Sequence, residues 1–172
     1  LAEVLQRQSE RSTGQRRSAM LRRLARLYGE AQTAGPRAVA AWEQLLEHEP
    51  TDEEAFEALH RALIASNEWD RLQLILGRRS EVCQPDQRLT LLQERVSVLV
   101  EKLEQAERAV PILFEMVALK TEGAEILFQL GELVKGRDDA IRLIAAVDQV
   151  LENHPGLDEG GTLNRMVGRV AR

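Results

Sequence analysis

Leu5-x-Arg7-x-Ser9-Glu10 returns as Leu76-x-Arg78-x-Ser80-Glu81, 71 residues further on and without a gap. Arg17-x3-Leu21 returns at the same spacing as Arg88-x3-Leu92, and Arg37-Ala38-Val39 as Arg108-Ala109-Val110. Glu54-x4-Leu59 returns as Glu125-x4-Leu130, and Arg71-Leu72 as Arg142-Leu143. Self-similarity at a fixed period marks a repeat architecture, in which each unit buries its apolar face against the next.

The repeating unit is helical. Apolar residues recur at three- and four-residue steps in Leu21, Leu24, Ala25, Tyr28 and again in Phe56, Leu59, Leu63. Breakers arrive at short intervals: Gly14, Gly35-Pro36, Pro50, Pro85, Gly123, Gly136 and His154-Pro155-Gly156. Thr51-Asp52-Glu53-Glu54 puts a cap and acidic groups at a helix start, where the dipole favours them. Pro36 falls in a first turn, where a missing N–H costs nothing. The pattern predicts ten helices, over 1–12, 16–33, 37–48, 52–66, 69–82, 86–104, 107–119, 122–135, 138–153 and 160–171. Short loops make neighbours antiparallel, so each 71-residue unit holds two helix hairpins. No low-complexity linker interrupts the chain, which reads as one domain over 1–172.

Composition narrows the function. Of 172 residues, 44% are apolar and 30% charged, which describes a globular chain with a solvated helical surface. The net charge of -5 argues against nucleic acid as a partner. Charge is uneven: residues 1–37 carry a net of +5 and residues 38–172 a net of -10. That is either a fluctuation between repeats or a basic end that meets an acidic partner. Cys83 is the only cysteine, which excludes an intrachain disulfide and points to a reducing, cytoplasmic compartment. No apolar run is long enough to span a bilayer.

Catalytic chemistry is not visible. His48, His60 and His154 are far apart and have no second ligand at metal spacing, so no metal or cofactor is expected. His48 and His154 instead suit helix C-termini. Cys83 reads as a packed small residue, and Gly160-Gly161 lacks the Lys-Ser/Thr of a phosphate loop.

Taken in series, the hairpins resemble the tetratricopeptide repeat (TPR) family. Leu21-x2-Leu24-Ala25-x2-Tyr28 matches its first helix, and Ala38-x3-Trp42-x2-Leu45-x4-Pro50 its second. Phe56-x2-Leu59-x3-Leu63 with Leu72-x3-Leu76 forms the next hairpin. Leu92-x3-Val96-x2-Leu99 with Ala109-x3-Leu113-x2-Met116 forms the third. Leu127-x2-Leu130-Gly131-x2-Val134 with Leu143-x3-Val147-x2-Val150-x4-Pro155 forms the fourth. The resemblance covers nearly the whole chain, as units 16–50, 52–84, 86–121 and 123–155 with partial repeats 1–14 and 160–172. The repeats are degenerate: Leu72, Leu143, His60 and Val96 replace small residues, and Thr121 replaces a closing proline.

The resemblance implies an all-α, right-handed α-α superhelix of antiparallel hairpins. It implies a non-catalytic interaction scaffold that binds a protein or peptide in a concave groove lined by the first helices. Matched residue by residue, those helices contribute Ala19, Arg22, Arg26 and Glu30, then Glu54, Glu57, Arg61 and Ile64. The later ones contribute Thr90, Gln93, Ser97 and Glu101, then Glu125, Phe128, Glu132 and Lys135. Arg22, Arg26, Glu57, Arg61, Gln93, Ser97, Phe128 and Glu132 are the candidate partner-binding residues. The Lys/Asn carboxylate clamp of chaperone-binding members is missing, with Arg22 and Arg26 a partial substitute. Both terminal helices lack hairpin partners, as in a piece of a longer array. The alternative function is therefore a spacer or self-assembly segment of a larger complex, meeting further repeats or a second copy through its terminal helices.

Overall fold

A computed structural model describes residues 2–30, 35–119, 123–158 and 161–170. Ten α-helices span the described residues. They are α1 (Ala2–Glu10), α2 (Gly14–Glu30), α3 (Gly35–His48), α4 (Glu53–Ser66) and α5 (Trp69–Val82). They continue with α6 (Pro85–Ser97), α7 (Ala106–Leu119), α8 (Ala124–Leu133), α9 (Arg137–Asn153) and α10 (Thr162–Val170). Helix ends fall within two residues of the expected ones wherever both are described, apart from the helix expected over 86–104. Thr121, Gly160 and the side chains of Glu10, Glu30 and Pro155, all used in the sequence reading, lie outside the described residues. No helix among the described residues is long and apolar enough to cross a membrane.

The chain divides into two compact units, Leu1–Arg88 and Leu89–Arg172. In the first, α2 packs on α1 and α3, α3 on α4, and α4 on α5. The positions of the TPR-like pattern form its core. Leu21, Ala25, Leu45, Leu59 and Leu63 are fully buried, Leu24 and Ala38 nearly so, and Trp42 is 7% exposed. The helix-hairpin fold is thus TPR-like, with small residues where helices approach and large ones between them. Asp52 caps α4 by accepting from the Ala55 N–H at 2.7 Å, and Asn67 closes the helix in a left-handed conformation (φ 57).

In the second unit, α7 packs on α8, α8 on α9, and α10 on both α8 and α9. Its core is one cluster running through Leu92, Leu113, Leu127, Leu130, Leu143, Val147 and Leu163. Leu143, which stands where the family prefers a small residue, is fully buried. Asp158 caps α10 by accepting from the N–H groups of Leu163 (2.8 Å) and Asn164 (3.1 Å). Desolvation opposes its ionisation, but those donors outweigh it and hold the carboxyl below its ordinary range.

The helix expected over 86–104 stops being α-helical at Ser97 and continues as a π-helical turn, Val98–Lys102. There the Leu103 N–H donates to the Val98 carbonyl at 3.1 Å, five residues back. Glu104 then takes a positive φ of 55. Val98 and Leu99 are buried within this turn, and single π turns of this kind occur inside α-helices.

Two substitutions check this packing. Trp42→Ala is expected to cost about 3–5 kcal/mol in denaturant unfolding, as for a buried tryptophan; a loss well under about 1 kcal/mol would remove Trp42 from the core. Gly131 on α8 lies so close to α10 that a Cβ there would meet Met166 Cγ at 2.8 Å. Gly131→Leu overpacks the contact at a cost of about 1–3 kcal/mol, offset in part by a gain of under about 1 kcal/mol in helix propensity, so a net loss of stability is expected. A net gain would mean that α10 does not dock tightly against Gly131.

Candidate interaction surface

Arg22 and Arg26 lie one turn apart on α2, so they share a face. On α4, Glu54, Glu57, Arg61 and Ile64 recur at helical spacing on another. The structure joins the two faces with ion pairs. Arg22 donates to Asp52 and to Glu49 at 3.2 Å, and lies 3.7 Å from Glu54. Arg26 grips Glu54 with two bonds, Nε to Oε1 at 2.6 Å and Nη2 to Oε2 at 2.5 Å. Asp52 therefore does two things: one carboxylate oxygen caps α4 and the other holds α2.

Ionisation follows from these pairs. The hydrogen bond from Arg26 holds the Glu54 carboxyl below its ordinary range. The bond to Asp52 raises Arg22, and the bond to Glu54 raises Arg26. The arginines expected to meet a partner are thus engaged within the chain. Arg22 is largely enclosed, while Arg26 keeps 59% of its side chain exposed. Glu57 and Arg61 stay exposed, with Arg61 Nε donating to the Glu57 carbonyl at 3.3 Å. Ile64 is 40% exposed.

In the second unit, Gln93 is exposed on α6 and Ser97 is half-buried at its last residue. Phe128 on α8 is half-buried and packs against the core, so its ring is mainly structural. Glu132, one turn on, pairs with Arg169 of α10 at 2.5 Å. The same device recurs: a charge on one first helix is bound by the next first helix.

A second surface in the first unit was not foreseen. A groove of about 550 Å³ lies between α3 and α5, floored by Phe56 and Leu59 of α4. Arg71 crosses it from α5 to Glu43 of α3, with bonds of 2.6 and 3.0 Å, and also binds Glu68. These partners raise Arg71, with Glu43 the larger cause, and Arg71 holds the Glu68 carboxyl low. Arg79, only 7% exposed, donates to Glu53 and to the Pro50 carbonyl at 3.2 Å and lies over the Phe56 ring at 5.3 Å. Its sequence signal was position: with Leu72, Ile75 and Leu76 it completes the buried stripe of α5. Beside it, Gln73 is buried while Leu74 is 50% exposed.

No family model matches the chain, and no curated protein does. Solved structures are similar to it. YrrB, a TPR protein with an unusual peptide-binding site, matches 99% of this chain and 83% of its own at 20% identity and a TM-score of 0.45. MamA from Desulfovibrio magneticus RS-1 matches 93% of this chain and 92% of its own at 17% identity and a TM-score of 0.42.

The Arg26–Glu54 pair has a consequence for acid stability. A carboxyl held low when folded stabilises above its unfolded value, about 4.3 for Glu, and loses that contribution as pH falls through the folded value. Melting temperature should therefore fall below about pH 4.5, and Glu54→Gln should flatten that slope while lowering stability near neutrality. Identical acid slopes for both proteins would show that the pair contributes nothing.

Proposed function

We propose that the chain is a non-catalytic scaffold that holds a protein or peptide partner against its first-helix faces. One observation carries the reading. The Arg22 and Arg26 ladder fixes α2 to α4 and leaves Glu57, Arg61 and Ile64 exposed on a rigid face. Ordering a partner there requires little rearrangement of the scaffold, which favours binding. The candidate contacts therefore fall into two groups. Arg22 and Arg26 position the face, with Arg26 still partly available. Glu57 and Arg61 contact the partner, and Gln93, Ser97 and Glu132 play that part in the second unit.

Reversal of Arg22 would break the ladder itself, so it is a poor test of binding. Glu57→Lys combined with Arg61→Glu leaves the ion pairs of Arg22 and Arg26 intact and should keep the circular dichroism spectrum and melting temperature. Crosslinking in the native source, read by mass spectrometry, should capture a partner with the wild type and lose it with this variant. Retention of the same partner would overturn the proposal. Recovery of the protein alone would instead favour self-assembly through the terminal helices.

A further inference from the structure

We infer that copies of this chain associate head to tail, an outer stripe of α2 in one molecule packing against an outer stripe of α9 in the next. These are the longest described helices, 17 residues each. On α2, Arg16, Met20, Arg23 and Leu27 recur at steps of four, three and four, which places them within about 60° of one another around the helix. Arg16 and Arg23 are exposed, and Met20 and Leu27 are half-buried. On α9, Ile141, Ala145, Asp148 and Glu152 recur at the same steps, and all four are exposed, Ile141 by 56%. Arg16, Arg23, Asp148 and Glu152 make no ion pair among the described residues.

The α2 stripe is separate from the first-helix face. It lies about 90° around α2 from Arg22 and Arg26, which are held by Asp52 and Glu54. Ser12 Oγ lies 3.6 Å from Met20 Sδ, so the turn after α1 borders the stripe, and exposed Arg11 beside it adds a third cation. Glu3, the acid among the described side chains of α1 and α2, lines a groove on another face with Leu24 and Tyr28.

Charge selects both the occupant and its direction. Set antiparallel over about 16 Å, the stripes place Glu152 against Arg16, Asp148 between Arg16 and Arg23, and Ile141 against Leu27. The Ile141 end of α9 is basic, with Lys135 and Arg137 lining the hollow beside it. The next residue of the α2 stripe in sequence is Glu30, opposite in sign. A parallel arrangement instead brings Arg16 toward Arg137 and sets Leu27 against Glu152. Arg142, on another face of α9, is engaged by Asp139 and lies over Phe114. The net of +5 over residues 1–37 and -10 over 38–172 thus becomes self-complementarity between molecules. Because the two stripes differ, each pairing leaves one of either kind free for a further copy.

Sedimentation equilibrium of the whole chain tests this. Average mass should rise with concentration above that of one chain. It should fall back as salt increases from about 0.1 to about 1 M, where the screening length shortens from roughly 10 to 3 Å. Arg16→Glu with Arg23→Glu, or Asp148→Lys with Glu152→Lys, should weaken association at least about tenfold. All four side chains are exposed, so both variants should keep the wild-type circular dichroism spectrum and melting temperature. Mixing the two variants should restore association, because each reversed stripe then meets its reversed complement and each native stripe its native one. The Glu57→Lys, Arg61→Glu variant should associate like wild type, so this inference and the first-helix reading fail separately. A chain monomeric up to about 1 mM would overturn the inference and leave the stripes to other proteins. Association indifferent to salt or to both reversals, or a mixture that fails to reassemble, would also overturn it.

Discussion

Among the described residues no α-helix exceeds 17 residues, and each carries an apolar stripe it cannot bury alone. Isolated helices of this length are marginal in water, so their stability comes from the neighbour they pack on. That constraint explains why the repeat conserves leucines in register. Leu21, Leu92 and Leu163 stand 71 residues apart and are at most 1% exposed. Leu59 and Leu130, and Leu72 and Leu143, keep the same relation. Removing one such side chain exposes two helices, not one.

On this apolar frame, arginine fixes the register of neighbouring helices. Arg71 and Arg142 occupy equivalent positions, and each pairs with an acid three residues earlier, Glu68 and Asp139. Each also reaches back to the same position of the preceding second helix. There Arg71 meets Glu43, while Arg142 lies 4.1 Å from the centre of the Phe114 ring. One planar cation can serve both because it binds carboxylates through its edge and aromatic rings through its face. Exposed pairs of this kind each contribute little stability. Their effect is geometric, since a pair between helices penalises a slip of either.

The helices were legible because stripes, breakers and caps are local signals. Burial of Trp42 was legible because the hairpin pattern fixes which face looks inward. The π turn at Val98–Lys102 was not, because periodicity identifies a helix but not a local change of pitch. The candidate faces were legible as positions but not as chemistry. Arg22 and Arg26 looked like free cations because their acceptors lie 27 to 32 residues away, beyond any helix-spacing rule. Arg79 could have been found as a charge on an apolar stripe, and Leu74 as an excess apolar residue outside it.

The first-helix face and the groove between α3 and α5 differ in what they can supply. The first-helix face is largely charge-compensated, so any partner reaching for Arg22 or Arg26 would compete with Asp52 and Glu54 and gain specificity more than affinity. The groove between α3 and α5 offers apolar area among mixed charges, with exposed Glu47 and Glu81 beside Arg78. Leu74 and Val82 are already about half covered, so completing their burial yields only roughly 1 kcal/mol each. Millimolar binding already requires about 4 kcal/mol, so an occupant would need the floor of the groove as well. An occupant of such a groove would be held reversibly. Tight attachment requires that the same partner engage a second surface, where linkage raises its effective concentration.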